Sequence, residues 1–363
     1  MDIRSVSRPA LLALGATLFF GCSTDLDVTA PYKEITVVYA LLNKNDNIHW
    51  VKINKAFLGD GDAFVYAQIA DSTEYTDAEM ADAHMERVDA DGNVLATIPL
   101  RDTILTDRPE GIFTWPVHKM YYFHGDLPNG HLDSLSRYRL VANPKGNHVE
   151  AITPLVNDLT PYSTTNNPTS AISLVQNNAY QSYPIKWETT GNGRRYEAYY
   201  RFHYDEIMTD GSVHTKYFDT FVGSVISSSG PGQVDQVTVN GQLFFQTVAN
   251  RVPVPNEDEV QQRVFRGIEF FWWVAAPDLH TYLQLANPIS GIVEERPDFS
   301  NVTGGYGLFS SRMYKKAPTL AQGDPPDISK RKNLETNSKT ELREGQYTGN
   351  LKFCTPIALN LPC

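Results

Sequence analysis

The sequence lacks any apolar run long enough to span a membrane, and it has no excess of basic side chains. Its longest apolar stretch, residues 10–20, falls short of the roughly 20 residues that a spanning helix needs. The 363 residues include 31 basic and 42 acidic side chains, which gives a net charge of −11. Because phosphate binding needs clustered Lys and Arg, we expect no nucleic-acid partner.

Motifs of common catalytic and metal sites are also missing. The sequence has no His-Glu-x-x-His, no Gly-x-x-x-x-Gly-Lys loop and no Gly-x-Ser-x-Gly elbow. Aspartate pairs at 60/62 and 89/91 lack the glutamate of a calcium loop and fit turn chemistry instead. We therefore predict a protein that is not an enzyme, with no cofactor and no metal site.

The amino terminus has the layout of a secretory signal peptide, with two arginines, an apolar stretch and a small residue over residues 1–21. Residues 19–22, Phe-Phe-Gly-Cys, resemble the lipobox of bacterial lipoproteins. That resemblance implies cleavage before Cys22 and attachment of acyl chains (palmitate or similar) to it, which would anchor the protein to a membrane. An ordinary signal peptide followed by a chance cysteine is the alternative.

Residues 22–33 are polar, end near a proline and predict a tether between the lipid and a folded body. Asp25 and Asp27 resemble the acidic export signals of Bacteroidota surface lipoproteins. The resemblance implies an outer-membrane location and favours the cell surface over the periplasmic face.

The other two cysteines, Cys354 and Cys363, form an even pair in a compartment where thiols oxidise. We predict a disulfide that closes a loop of about ten residues and contributes roughly 2–3 kcal/mol in the chain-entropy model. Two free thiols are the alternative.

Apolar and polar residues alternate with a period of two over much of the chain, which predicts an all-β fold. Residues 34–155 contain short strands separated by turns, including the apolar stretch 112–117, and predict an immunoglobulin-like β-sandwich. The polar residues 156–180 have the composition of a linker.

A second β-sandwich is predicted over residues 181–315. Its opening, Ile-x-Trp at 185–187 and then Tyr-x-Ala-x-Tyr at 196–200, resembles fibronectin type III modules. One short helix is expected over 278–286, after Pro277. Residues 316–363 predict an extended tail that packs back and ends in the disulfide.

Exposed tryptophans raise the question of glycan binding, because aromatic faces stack on sugar rings. Trp272 and Trp273 are neighbours in a predicted strand, so they point to opposite faces and at most one faces the core. Cover by the tail or the following helix is the simpler expectation for the other. The candidates for sugar stacking are Trp50, Trp115 and Trp273.

Several segments resemble a family of Bacteroidota outer-membrane lipoproteins known as a domain of unknown function. They are residues 51–59, 138–144, 299–309 and 347–354. The resemblance implies an accessory role beside SusC-like TonB-dependent transporters or other envelope machinery. We therefore predict a lipid-anchored binding subunit of an outer-membrane β-barrel complex. The alternative is a surface lipoprotein that binds polysaccharide.

Overall fold

The computed structural model describes residues 33–58, 62–228, 230–256, 258–286, 298–318 and 328–363. Cys22, the predicted signal peptide and all but the last residue of the predicted tether lie outside these ranges. In the described part of the chain, no helix is both long and apolar enough to cross a bilayer. The chain is mostly β-strand with sandwich-like packing, which confirms the all-β prediction.

The described residues of the first half of the chain form eight strands and two short α-helices. The strands are β1 (Lys33–Leu42), β2 (His49–Leu58), β3 (Ala83–Val88), β4 (Val94–Pro99), β5 (Arg101–Leu105), β6 (His118–Phe123), β7 (Arg137–Ala142) and β8 (Val149–Pro154). The helices are α1 (Ala63–Ala67) and α2 (Ala70–Thr73).

The second half has longer strands and more helix. Its strands are β9 (Thr160–Pro161), β10 (Val175–Gln176), β11 (Ala179–Tyr180), β12 (Ser182–Glu188), β13 (Arg195–Met208), β14 (Val213–Ile226), β15 (Val234–Asn240), β16 (Val260–Ala275), β17 (Tyr306–Ala317) and β18 (Phe353–Cys354). Its helices are α3 (Ser163–Asn166), α4 (Gly241–Arg251), α5 (Pro277–Ala286) and α6 (Thr336–Glu344).

One large sheet runs through both halves in the order β14-β13-β16-β17-β1-β2-β6-β5, and β18 pairs with β16. Strand β17 joins the halves. Its first six residues pair with β1 in parallel, and its last six pair with β16 antiparallel. A second sheet, β4-β3-β7-β8, covers the first half, and β15-β12-β9 covers the second.

Two hydrophobic cores lie between these layers, and they separate near the predicted boundary at residue 155. Phe309 of β17 belongs to the first core, whereas Met313 and Ala317 of the same strand belong to the second. The first core contains Val38, Ile53, Met85, Tyr138 and Leu140, all buried from both sheets. The halves therefore have separate interiors but share one strand.

Residues 156–180 differ from the predicted linker. Val156, Leu159 and Leu174 are buried in the second core, and Leu174 donates its amide to the Ser338 hydroxyl. The polar composition that predicted a spacer reflects α3, three short strands and the turns between them, whose side chains satisfy backbone groups locally. This segment is part of the packed second half.

Residues 316–363 also differ from an extended tail. Helix α6 buries Leu342, and Phe353 of β18 packs on Phe202 in the core. Lys332 is fully buried, and its ammonium donates to the carbonyls of Thr164 and Asn167. Burial lowers the pKa of Lys332 to about 8. The end of the chain is thus built into the second sandwich.

The described residues form more helices than the one short helix that the sequence predicted. Helix α5 lies where it was predicted, but α4 and α6 were missed. In α4, Asn240 caps the amino terminus, and Phe244, Phe245 and Val248 form the buried side. Leu243 is apolar but 61% exposed, so the apolar residues of α4 do not mark one clear helix face in the sequence.

The strand predicted at residues 112–117 is wrong. These residues form an exposed loop, and the strand β6 begins at His118. Their β-branched and aromatic content resembles a strand, but tertiary contacts decide the outcome, because this loop bonds to α1 rather than to a neighbouring strand.

The shared strand gives a stability prediction at Gly307, which pairs with Val38 and has a φ of 127°. A Cβ here would strain the backbone and collide with the Val38 carbonyl oxygen. We expect Gly307→Ala to lower the free energy of unfolding by at least about 1–3 kcal/mol, measured by urea denaturation.

Gly111→Ala is the matched control, because a Cβ added at this position would meet no atom within 4 Å and the φ of Gly111 is ordinary. We expect this control to change stability by well under about 1 kcal/mol. Equal effects of the two substitutions would contradict the close approach of β1 and β17.

Candidate binding face

The strict alternation of β13 places two different sets of side chains on the two sides of the large sheet. Tyr196, Ala198, Tyr200, Phe202 and Tyr204 are buried in the core. The intervening side chains therefore point away from that core.

Five of the aromatic side chains on this outer side contact one another, and we call these five the aromatic face. The cross-strand register sets Tyr199 of β13 opposite Phe221 of β14 and Phe271 of β16, and sets Trp273 of β16 opposite Tyr314 of β17. The aromatic face is thus built from four neighbouring strands.

The rings of the aromatic face form a chain in which each ring contacts the next. Tyr199 stacks on Phe271 with ring centres 5.0 Å apart and planes inclined by 5°, and it meets Phe221 edge-on at 5.3 Å. Phe271 lies 5.7 Å from Tyr314, which lies 4.8 Å from Trp273. Phe221 is 51% exposed and Trp273 is 37% exposed. Phe271, in the middle, is buried, so the result is a continuous apolar strip that solvent reaches mainly at its two ends.

Cations and carboxylates flank this strip in fixed positions. Arg201 donates two hydrogen bonds to the Asp219 carboxylate, at 2.6 and 2.7 Å, and its guanidinium lies 5.6 Å from the Phe271 ring. Glu197 accepts from Arg195 and from the Tyr199 hydroxyl. Because these side chains hold one another, their remaining donors and acceptors are preorganised toward solvent.

A buried ion pair lies at one side of the aromatic face. Glu269 accepts hydrogen bonds from His203 and Lys316, each at 2.7 Å. Burial by itself would raise the pKa of Glu269, but the donors His203 and Lys316 outweigh it and lower that pKa to about 2. Burial also lowers the pKa of His203, against the opposing effect of its bond to Glu269.

Trp273 lies beside a shallow depression of about 190 Å³ at the edge of the aromatic face. Arg312 places its guanidinium 5.1 Å from the Trp273 ring, and Leu279 and Leu283 of α5 line the other side. The expectation that the tail or helix covers Trp273 is therefore wrong, since the ring keeps an exposed surface. Its neighbour Trp272 is fully buried, as the opposite-face argument predicted.

The structure does not bring the three candidate tryptophans together. Trp50 is on β2, 39% exposed, with its ring 5.6 Å from Tyr122. Trp115 is 46% exposed in the loop before β6. Only Trp273 belongs to the aromatic face, so the three tryptophans form three separate surfaces.

The remaining predicted positions have simple local structures. Cys354 and Cys363 pair as a disulfide with Cα atoms 6.2 Å apart, within the usual range. Asp89 accepts from the amide and side chain of Asn93, which is turn chemistry. In the described ranges, no group of three or more His, Cys, Asp or Glu is placed to hold a metal ion.

Comparison with known proteins gives no assignment. No protein-family model matches the chain, and no curated protein is significantly similar to it. The aromatic face must therefore be interpreted from its own chemistry.

Sequence reasoning missed Tyr199, Phe221, Phe271 and Tyr314 as members of a site. The alternation in β13 already separated Tyr199 from the core-facing residues, so that signal was present. Phe221 and Tyr314 carried no such signal, because the pairing of distant strands places them beside Tyr199 and Trp273.

The lowered pKa of Glu269 predicts a pH-dependent contribution to stability. A carboxylate with a depressed folded-state pKa stabilises the fold above its ordinary pKa of 4.5, and this contribution is lost as the pH falls toward 2. We expect Glu269→Gln to cost about 2–3 kcal/mol at pH 7, with a smaller cost toward pH 2.

The measurement is chemical denaturation of the wild-type protein and the variant between pH 7 and pH 2. Glu110→Gln, at an exposed position, serves as the control and should follow the wild-type curve. A constant difference between wild type and Glu269→Gln across this range would contradict the prediction.

Proposed function

We propose that the chain is a non-catalytic, lipid-anchored binding protein of the outer membrane that binds glycans through the aromatic face. The observation that carries this proposal is a strip of five contacting aromatic rings on the outer side of the sheet, in which Phe271 is buried and Phe221 and Trp273 are exposed at the two ends. Such a rigid surface offers large contact area at little conformational cost.

Glycans fit this surface by their chemistry. One side of a pyranose ring presents C–H groups, which pack on aromatic faces, and its hydroxyls lie around the rim. Arg201, Asp219 and Glu197 sit beside the rings as fixed donors and acceptors for such hydroxyls. The depression next to Trp273 offers space for a substituent of the sugar.

Affinity electrophoresis in gels that contain a panel of polysaccharides tests the proposal. We expect at least one polysaccharide to retard the wild-type protein, and we expect Trp273→Ala or Tyr199→Ala to weaken that binding by about tenfold or more, since each buries a large ring against the ligand. Trp50→Ala is the control, because Trp50 lies outside the aromatic face. No retardation by any polysaccharide, or equal loss in the control, contradicts glycan binding.

A second candidate, the accessory subunit of a β-barrel complex, is supported by the edge of the large sheet. Strand β14 is fourteen residues long and ends the strand order, so in the described part of the chain no strand pairs with its outer edge. An open edge of this length suits strand addition by a partner protein. Lipid attachment at Cys22 would confine the protein to the membrane and raise its effective concentration beside such a partner.

Anchoring is tested by replacing the lipidated residue. We expect Cys22→Ala to move the protein from the outer-membrane fraction to the soluble fraction, measured by sedimentation and immunoblotting. A photo-crosslinker at Val213 of β14 should capture a barrel protein in wild-type cells, and a crosslinker at Leu135 should not. Membrane retention of Cys22→Ala would contradict the anchor, and equal capture from both positions would contradict the edge-strand contact.

A further inference from the structure

We propose that an exposed apolar surface on the first half is a second membrane contact, which rests directly on the bilayer beside the lipid anchor. We call this surface the apolar end. It comprises residues of α1, its following turn and the loop before β6: Phe64, Val65, Ile69, Ile112, Phe113, Trp115 and Val117.

Each of these side chains is large and apolar, and each is between 44% and 67% exposed. Isolated exposed apolar residues are normal on soluble proteins, but seven of them on two adjoining segments form a patch that marks an interaction site. Residues 112–117 are exposed because they form a loop and pair with no strand.

Hydrogen bonds to the backbone hold the two segments of the apolar end in place. Gln68 donates its side-chain amide to the carbonyls of Gly111 and Ile112, and Thr114 donates its backbone amide to the Ala67 carbonyl at 3.0 Å. Asp62 caps α1 by accepting from the Phe64 amide. The exposed side chains are therefore presented by an ordered scaffold, which lowers the cost of burying them on another surface.

Lys33, the first described residue and the last of the predicted tether, lies at this same end. Lys33, the first residue of β1, pairs with Leu58, and α1 begins a few residues after Leu58. Glu74 then returns to pair with Asn54. The final residues of β2 therefore pair with Lys33 and also lead to α1. This places Lys33, where the predicted tether ends, beside the apolar end.

The length of the tether limits how far the apolar end can be from the membrane. Ten residues lie between Cys22 and Lys33, and a fully extended chain over these eleven steps spans at most about 35–40 Å. This inference rests on the proposed lipid anchor and is independent of the proposed glycan. With an acylated Cys22, the bilayer is the nearest large apolar phase to these side chains.

The composition of the apolar end also fits a bilayer interface. Trp and Phe are favoured at the boundary between headgroups and acyl chains, and Ile and Val supply apolar area below it. The surrounding charge is mainly acidic, with Asp62, Asp107 and Glu110 all exposed. An acidic rim is repelled by anionic lipid, so we expect the contact to prefer zwitterionic headgroups.

Vesicle flotation with the mature chain carrying Cys22→Ala tests this surface without the lipid anchor. We expect measurable binding to phosphatidylcholine vesicles and weaker binding when phosphatidylglycerol is added. The double substitution Phe113→Ser with Trp115→Ser should reduce the partition coefficient by at least about tenfold. Leu135→Ser is the control, because Leu135 is 89% exposed near the opposite end of β1.

Tryptophan fluorescence in the lipidated protein gives a second readout. Phosphatidylcholine with brominated acyl chains should quench the emission of the wild-type protein, and Trp115→Phe should remove most of that quenching. Trp50→Phe and Trp273→Phe should retain it. Circular dichroism of every variant confirms that the fold is kept.

Three results would overturn the inference. They are flotation of the unlipidated chain that the double substitution leaves unchanged, quenching that persists in Trp115→Phe, and a dimer in sedimentation experiments that the double substitution dissociates. Lipidation is checked separately by mass spectrometry of the amino-terminal peptide, so a missing anchor and an inactive apolar end give different results.

Discussion

The parallel pairing of β1 with β17 is the constraint on which the rest of the structure depends. The first half of β17 pairs with β1 and its second half pairs with β16, so one sheet borders both hydrophobic cores. Gly307 allows the close approach of the two backbones. Without this pairing the two sandwiches would be joined mainly by residues around 155, and no shared sheet would fix their relative positions.

Because one sheet runs through both halves, it fixes the aromatic face and the apolar end at different parts of the molecule. The aromatic face lies on β13, β14, β16 and β17, and the apolar end lies where β2 and β6 approach the start of β1. In the proposed arrangement the apolar end and the lipid hold one part of the protein at the membrane. The aromatic face then stays on the second half, separated from the contact that anchors the protein.

Local patterns in the sequence predicted the residues that alternate within a strand. The alternation in β13 separated its side chains into two sets, and adjacency alone separated Trp272 from Trp273. Features that depend on distant pairing were not predictable, and these include the β1–β17 contact and the meeting of Phe221 with Tyr199. Segment 112–117 was predicted wrongly because its apolar residues resemble a strand, whereas contacts with α1 hold it as a loop.

The shared strand is tested most directly by native-state hydrogen exchange resolved to single amides. The account predicts that amides of β1 and β16 that pair with β17 exchange with the same free energy of opening, because both halves lose their sheet together. Full exchange of the β1 amides while the β16 amides stay protected, at a denaturant concentration below the global transition, would show two independent units. That result would contradict the central role of β17.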